Sequence, residues 1–98
     1  MKSEILVIDD NVDIRFLICN ILKEKDYIVR SAANFTQAEF EIKKKLPDLA
    51  IIDIKLDKGD RDGIELLKLI MKINKSIPTI MISGHANVQL AVEAIHLG

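Results

Sequence analysis

The chain has 98 residues, of which 49% are hydrophobic and 30% charged, and its formal net charge at pH 7 is −1. One domain of this length can bury a core, and the mixed charge argues against a nucleic-acid-binding or membrane-binding surface. A single cysteine, Cys19, cannot form an internal disulfide, and the chain neither opens with a signal-peptide pattern nor carries a membrane-length apolar run. We therefore expect a cytoplasmic protein.

The first half of the chain alternates between strand and helix patterns. Residues 4–8 form a short apolar run before polar turn residues, which predicts a buried strand. Residues 12–25 carry apolar side chains four positions apart, which predicts a helix, and residues 27–32 predict a weaker strand. Asn34 with Gln37 resembles a capping arrangement that opens a second helix. The positions predicted to form the apolar faces of these helices are Ile14, Leu17, Ile18, Ile21, Leu22, Phe35, Ala38, Ile42 and Leu46.

The second half repeats the alternation. Residues 49–54 give the strongest strand pattern, and the polar residues 55–63 predict a loop. A third helix is predicted over residues 64–74, a fourth strand over 78–82 and a fourth helix around 88–95. The third helix is expected to bury Ile64, Leu67, Ile70 and Met71. Strands that alternate with helices predict an α/β fold with a doubly wound parallel sheet and right-handed crossovers.

Polar side chains end three of the predicted strands. Asp9 and Asp10 follow the first, Asp53 ends the third, and Ser83 follows the fourth. In open α/β sheets ligands bind beyond the carboxyl ends of the strands. Clustered carboxylates repel one another by about 4 kcal/mol per pair at ~4 Å and an effective dielectric constant of 20, so such a trio favours a site for a hard cation such as Mg²⁺. A carboxylate there can attack a phosphoryl group, and a hydroxyl can bind its oxygens.

The order of these motifs is similar to that of a known family. The segment 5–11, a strand ending in Asp53, the pair 62–63 and the segment 81–84 together resemble the response-regulator receiver domain of two-component signalling. The resemblance implies a flavodoxin-like sheet with strand order 2-1-3-4. It also implies a phosphorylation-dependent switch, not an enzyme beyond its own phosphorylation and dephosphorylation.

The resemblance assigns a role to each site residue. Asp53 is the phosphoacceptor and a ligand of Mg²⁺. Asp10 ligates Mg²⁺ directly, Asp9 does so through water, and the backbone carbonyl of Lys55 is a further ligand. Ser83 is the switch hydroxyl that moves toward the phosphoryl group.

A finer resemblance comes from the segment 53–63, which is longer than in most receivers and contains no proline. Together with residues 82–87 it is similar to the NtrX branch of NtrC-like nitrogen-response regulators. The resemblance implies a sensor histidine kinase as phosphoryl donor. It also implies an ATPase module and a DNA-binding domain downstream in a longer regulator, with no direct nucleic-acid or membrane binding by this segment.

Receivers also have a fifth strand ending in a lysine and a fifth helix. The last lysine of this sequence is Lys75, ahead of the predicted fourth strand. We therefore expect residues 1–98 to be a receiver domain that is incomplete at its C terminus, without that lysine and the output surface. An open fourth strand predicts dimerisation, domain exchange or low stability.

Three other interpretations stay open. Asp9 and Asp10 could serve as a helix N-cap pair without further chemistry. The same sheet class also contains Mg²⁺-dependent phosphatases and hydrolases, for which Asp9 is the expected nucleophile. The third interpretation is a non-catalytic module that binds a partner, in which the acidic trio is inert.

Overall fold

The computed structural model describes residues 3–53 and 62–82, which hold four strands and three helices. The strands are β1 (Glu4–Ile8), β2 (Ile28–Ala32), β3 (Leu49–Asp53) and β4 (Thr79–Ile82). The helices are α1 (Val12–Glu24), α2 (Phe35–Lys44) and α3 (Asp62–Ile73). The predicted fourth helix and most of the predicted loop lie outside the described residues. No helix in the described ranges is both long enough and apolar enough to cross a membrane.

The four strands run parallel in one sheet, in the order β2-β1-β3-β4. The predicted α/β fold and the strand order 2-1-3-4 are therefore confirmed. β1 and β3 lie side by side at the centre, with Ile8 beside Ile52 in register. Because these neighbours run in the same direction, the residues that follow Ile8 and Ile52 reach the same edge of the sheet.

Alternating side chains of the central strands build two hydrophobic cores, one on each face of the sheet. The core beneath α1 consists of Ile5, Val7, Ile14, Ile18, Leu22, Ile51 and Ile82. The core beneath α2 and α3 consists of Leu6, Ile8, Ala32, Ala38, Ile42, Ala50, Ile52, Leu66 and Ile70. Since β1 and β3 supply both cores, their sequences are continuously apolar rather than alternating. Burying each leucine or isoleucine contributes about 1.5–3 kcal/mol, so the ends of these strands form a fixed platform.

The end of α1 is closed without glycine. Asp26 has a φ of 71°, in the left-handed region that a non-glycine residue enters at a cost. Its N–H donates to the Lys23 carbonyl at 3.0 Å, and the Tyr27 N–H donates to the Leu22 carbonyl at 3.2 Å. This pair of bonds is a Schellman motif, which satisfies two carbonyls at the helix end.

The amino-terminal end of the sheet is held by Arg30 of β2. Its Nη1 donates to the carbonyl and the Oε1 of Glu41 at 3.1 and 2.9 Å, and its Nη2 donates to the Lys45 carbonyl at 2.6 Å. Its Nε lies 2.7 Å from Glu4 Oε1, although the N–H is not aligned for a hydrogen bond. Arg30 therefore binds the last carbonyls of α2 and also pairs with the start of β1.

Two helices present different faces from those expected. α3 buries Leu66 and Ile70, whereas Met71, which was expected in the core, is 46% exposed. The prediction was wrong because α3 is apolar on several sides, so its sequence does not fix which stripe faces the sheet. Leu17 on α1 is 43% exposed, since the buried residues of α1 are Ile14, Ile18 and Leu22.

Candidate metal centre

Three carboxylates meet at the carboxyl edge of the sheet. Asp9 and Asp10 come directly after β1, and Asp53 is the last residue of the neighbouring strand β3. Each offers one carboxylate oxygen, and these oxygens all lie within 4.8 Å of one another. The structure thus brings together the three aspartates that were predicted from the sequence to form a site.

The three side chains differ in their access to solvent. Asp9 is 2% exposed and Asp53 is 8% exposed, whereas Asp10 lies on the surface. Two carboxylates therefore form the floor of the cluster and the third forms its solvent side. A cation held by all three would keep coordination positions that face water.

The turn after β1 is organised by Asn11. Its side-chain oxygen accepts from the N–H of Asp13 at 2.9 Å and of Ile14 at 3.1 Å, so Asn11 is the N-cap of α1. Its own N–H donates to the Oδ1 of Asp9 at 2.8 Å. Because Asn11 does the capping, the interpretation of Asp9 and Asp10 as an N-cap pair is wrong.

A residue that the sequence analysis missed also contacts this turn. Arg15 of α1 donates from its Nη1 to the backbone carbonyl of Asp9 at 2.8 Å. No sequence motif marks this contact. The only signal is an arginine in the opening turns of a helix that follows an acidic turn.

The buried position of Asp9 shapes its protonation. Burial raises the pKa of this carboxyl above its ordinary value of 3.8, and the negative charge of Asp10 raises it further. The Asn11 N–H, a side-chain contact with Asp53 and the charge of Arg15 oppose that rise. The net increase means that the folded, metal-free protein disfavours a negative charge at Asp9.

The donor set suits a hard divalent cation. Carboxylate oxygens are the ligands that Mg²⁺ prefers, and Mg²⁺ usually keeps several waters in its shell. The solvent-facing Asp10 leaves room for such waters, and a bound cation would relieve the repulsion among the three carboxylates. The cluster Asp9–Asp10–Asp53 could therefore hold a metal ion.

Two of the predicted site residues lie in parts of the chain that the structure does not describe. Ser83 and Lys55 lie outside the described residues, as does most of the loop between Asp53 and α3. The structure places their neighbours, since Asp53 lies beside Ile82 in register. The roles of Ser83 and Lys55 stay predictions.

A doubly wound sheet with an acidic cluster at its carboxyl edge is the arrangement expected of a receiver-type signalling domain. A family model of the response regulator receiver domain matches residues 5–98. The chain belongs to this family.

Curated relatives agree with the finer resemblance. The chain is 40% identical over 98 residues to the nitrogen assimilation regulatory protein NtrX of Azorhizobium caulinodans, covering 100% of this chain and 22% of that protein. It is 33% identical to sporulation initiation phosphotransferase F of Bacillus subtilis, covering 100% of this chain and 77% of that protein. The crystal structure of the receiver domain of NtrX from Brucella abortus has a TM-score of 0.74 and 41% identity, covering 96% of this chain and 78% of that one.

The NtrX and NtrX-like relatives are much longer than this chain. The chain spans 20% to 22% of the length of the NtrX and NtrX-like relatives that it matches. It corresponds to their receiver part.

Proposed function

We propose that this chain is a phosphorylation-dependent switch that accepts a phosphoryl group on Asp53 with the help of Mg²⁺. The observation that carries the proposal is the convergence of the Asp9, Asp10 and Asp53 carboxylates within 4.8 Å at the carboxyl edge of a parallel sheet. Membership of the receiver family supports the switch, and the donor set supports the metal.

Asp53 is the group we assign to the covalent step. One of its carboxylate oxygens attacks the phosphorus of the donor, and the bond from phosphorus to the leaving group breaks with its electron pair on that group. Mg²⁺, when bound, would offset negative charge on the phosphoryl oxygens. Asp10 and Asp53 would bind the ion directly, Asp9 would bind it through water, and the carbonyl of Lys55 would be a further ligand. Ser83 donates to a phosphoryl oxygen of the product.

Asp9 is poorly placed to act as a nucleophile. Its Oδ1 already accepts a hydrogen bond from Asn11, and its side chain is more buried than that of Asp53. A hydrogen bond to a carboxylate oxygen stabilises its lone pair and lowers its reactivity. This observation disfavours a phosphatase or hydrolase that works through Asp9.

The partners follow from the family and not from any contact in the described residues. We propose a sensor histidine kinase as the phosphoryl donor, in the cytoplasm. We also propose that in a longer regulator an ATPase module and a DNA-binding domain read the phosphorylated state. The net charge of −1 argues against direct DNA binding by this segment.

The proposal is tested with beryllofluoride, which mimics a phosphoryl group on a carboxylate. The 98-residue chain is titrated with Mg²⁺ alone and then with Mg²⁺ and beryllofluoride, while amide NMR spectra are recorded. We expect Mg²⁺ to shift the amides of Asp10 and Asp53, and beryllofluoride to shift Asp53 and Ser83 further. An Asp53→Asn variant is the control, which should lose the second response. No shift at these residues in the parent chain would refute the proposal.

A further inference from the structure

Arg15 binds the backbone of the turn that carries two of the three carboxylates. Its Nη1 donates to the Asp9 carbonyl at 2.8 Å, while its own N–H donates to the Asn11 carbonyl at 3.0 Å. The side chain therefore reaches back from α1 to the end of β1. It is half-buried, and a charge-assisted bond of this length is stronger than a neutral one.

The carbonyl that Arg15 binds belongs to the peptide group between Asp9 and Asp10. A peptide group is planar, so a fixed C=O direction also fixes the N–H of Asp10 and limits where its side chain starts. Asp9 has two further restraints. Its N–H donates to the Ala32 carbonyl at 3.2 Å, and its Oδ1 accepts from Asn11 at 2.8 Å. Arg15 adds the restraint that orients the link between the two carboxylates.

The charge of Arg15 cannot by itself favour a cation at this site. A guanidinium near the carboxylates repels Mg²⁺, so its electrostatic effect is to weaken binding. At a pH where the three aspartates are ionised, a favourable effect of Arg15 on metal affinity would have to come from geometry. The two contributions have opposite signs, which makes the role of Arg15 measurable.

We propose that Arg15 is a positioning residue of the metal centre. By holding the Asp9–Asp10 peptide, it keeps both carboxylates directed at Asp53 and so strengthens Mg²⁺ binding without touching the ion. This inference rests on the proposed function, since it requires that the cluster binds Mg²⁺.

The test compares Mg²⁺ affinities of the 98-residue chain and three variants by amide NMR titration. Arg15→Gln removes the charge and the reach of the side chain, and we expect affinity to fall about tenfold, the lower end of the usual effect of residues that orient metal ligands. Arg15→Lys keeps the charge but loses the planar fork, so we expect a smaller loss. In the metal-free Arg15→Gln protein, the ¹³C shift of the Asp9 carbonyl should change because the hydrogen bond from Arg15 is lost.

Arg30→Gln is the matched control. Arg30 also donates to backbone carbonyls, but at the opposite end of the sheet. We expect this variant to melt at a lower temperature with the Mg²⁺ affinity of the parent chain, which separates lost stability from lost positioning.

The measured Mg²⁺ affinities separate failure of the positioning role from failure of the proposed function. If the parent binds Mg²⁺ and Arg15→Gln binds it equally well or more tightly, the positioning role is overturned while the proposed function stands. If Arg15→Gln does not fold, Arg15→Lys decides, and parent-like affinity in that variant overturns the role. If the parent chain itself binds no Mg²⁺, the proposed function fails and this inference fails with it.

Discussion

The carboxylates of Asp9 and Asp53 come from neighbouring strands and place oxygens within 4.8 Å of each other, although both side chains are buried. Burial raises the pKa of Asp9, so a negative charge there is costly in the metal-free protein, although the side-chain contact with Asp53 offsets part of that cost. The pair therefore lowers the stability of the metal-free protein and supplies ligands for a cation.

Replacing Asp9 by asparagine should stabilise the metal-free protein at neutral pH. The amide keeps an oxygen that can accept from Asn11 but carries no charge to be buried. We expect the free energy of unfolding in urea, with a chelator present, to rise by about 1 kcal/mol. Glu24→Gln, an exposed acid at the end of α1, is the control and should change stability by less than about 0.5 kcal/mol. A destabilised Asp9→Asn protein would show that the buried charge is not costly.

The gain from Asp9→Asn should depend on pH. Because the pKa of Asp9 is raised by folding, the folded state holds this proton at pH values where the unfolded state has released it. As pH rises from 3.8 through the higher folded-state pKa, the parent chain loses stability at this group, and above that pKa the loss is complete. The stability difference between variant and parent should therefore be small below pH 3.8 and grow as pH rises. A difference that is constant with pH would contradict the raised pKa.

Mg²⁺ should raise the melting temperature of the parent chain. A ligand that binds only the folded state stabilises it by about 2.7 kcal/mol at a hundredfold excess over its Kd, which is equivalent to about 10 °C or more in a domain of this size. Asp10→Asn should lower the Mg²⁺ effect without lowering the metal-free melting temperature, because Asp10 is exposed and its charge repels that of Asp9. Equal stabilisation of parent and Asp10→Asn by Mg²⁺ would argue against a site at this cluster.

The Arg30 contacts should contribute more to stability than any surface ion pair in the described ranges. Arg30→Gln leaves two carbonyls and the Glu41 carboxylate without their cation, while Glu4 keeps its pair with the exposed Lys45, and we expect a loss of about 2 kcal/mol. Lys43→Gln removes an exposed pair with Glu39 at 3.6 Å and should cost less than about 0.5 kcal/mol. Chemical denaturation of both variants checks this ranking, and equal losses would contradict it.

The sequence predicted the parallel sheet and the edge of the sheet at which the acidic site lies. β1 and β3 are apolar at successive positions because both faces of each strand are covered, and aspartate stands at both carboxyl ends, since Asp9 directly follows β1 and Asp53 ends β3. That combination identifies central strands and the edge where ligands bind. Strand direction placed Asp9, Asp10 and Asp53 at one edge of the sheet, and the family resemblance supplied the strand order that makes β1 and β3 neighbours.

The finer details could not be predicted from local patterns. The face of α3 that packs on the sheet was misassigned, since Met71 fits an apolar stripe as well as Leu66 does. The end of α1 uses Asp26 where glycine would have signalled a left-handed residue. The contacts of Arg15 and Arg30 join positions that only the folded chain brings together.

The central claim is that Asp53 accepts a phosphoryl group with Mg²⁺, and intact-mass spectrometry after incubation with acetyl phosphate tests it most directly. We expect the parent chain to gain the mass of one phosphoryl group in Mg²⁺, and to gain nothing when a chelator is added. Asp53→Asn should gain nothing under either condition. Equal phosphorylation of Asp53→Asn, or no phosphorylation of a parent chain that binds Mg²⁺, would contradict the account.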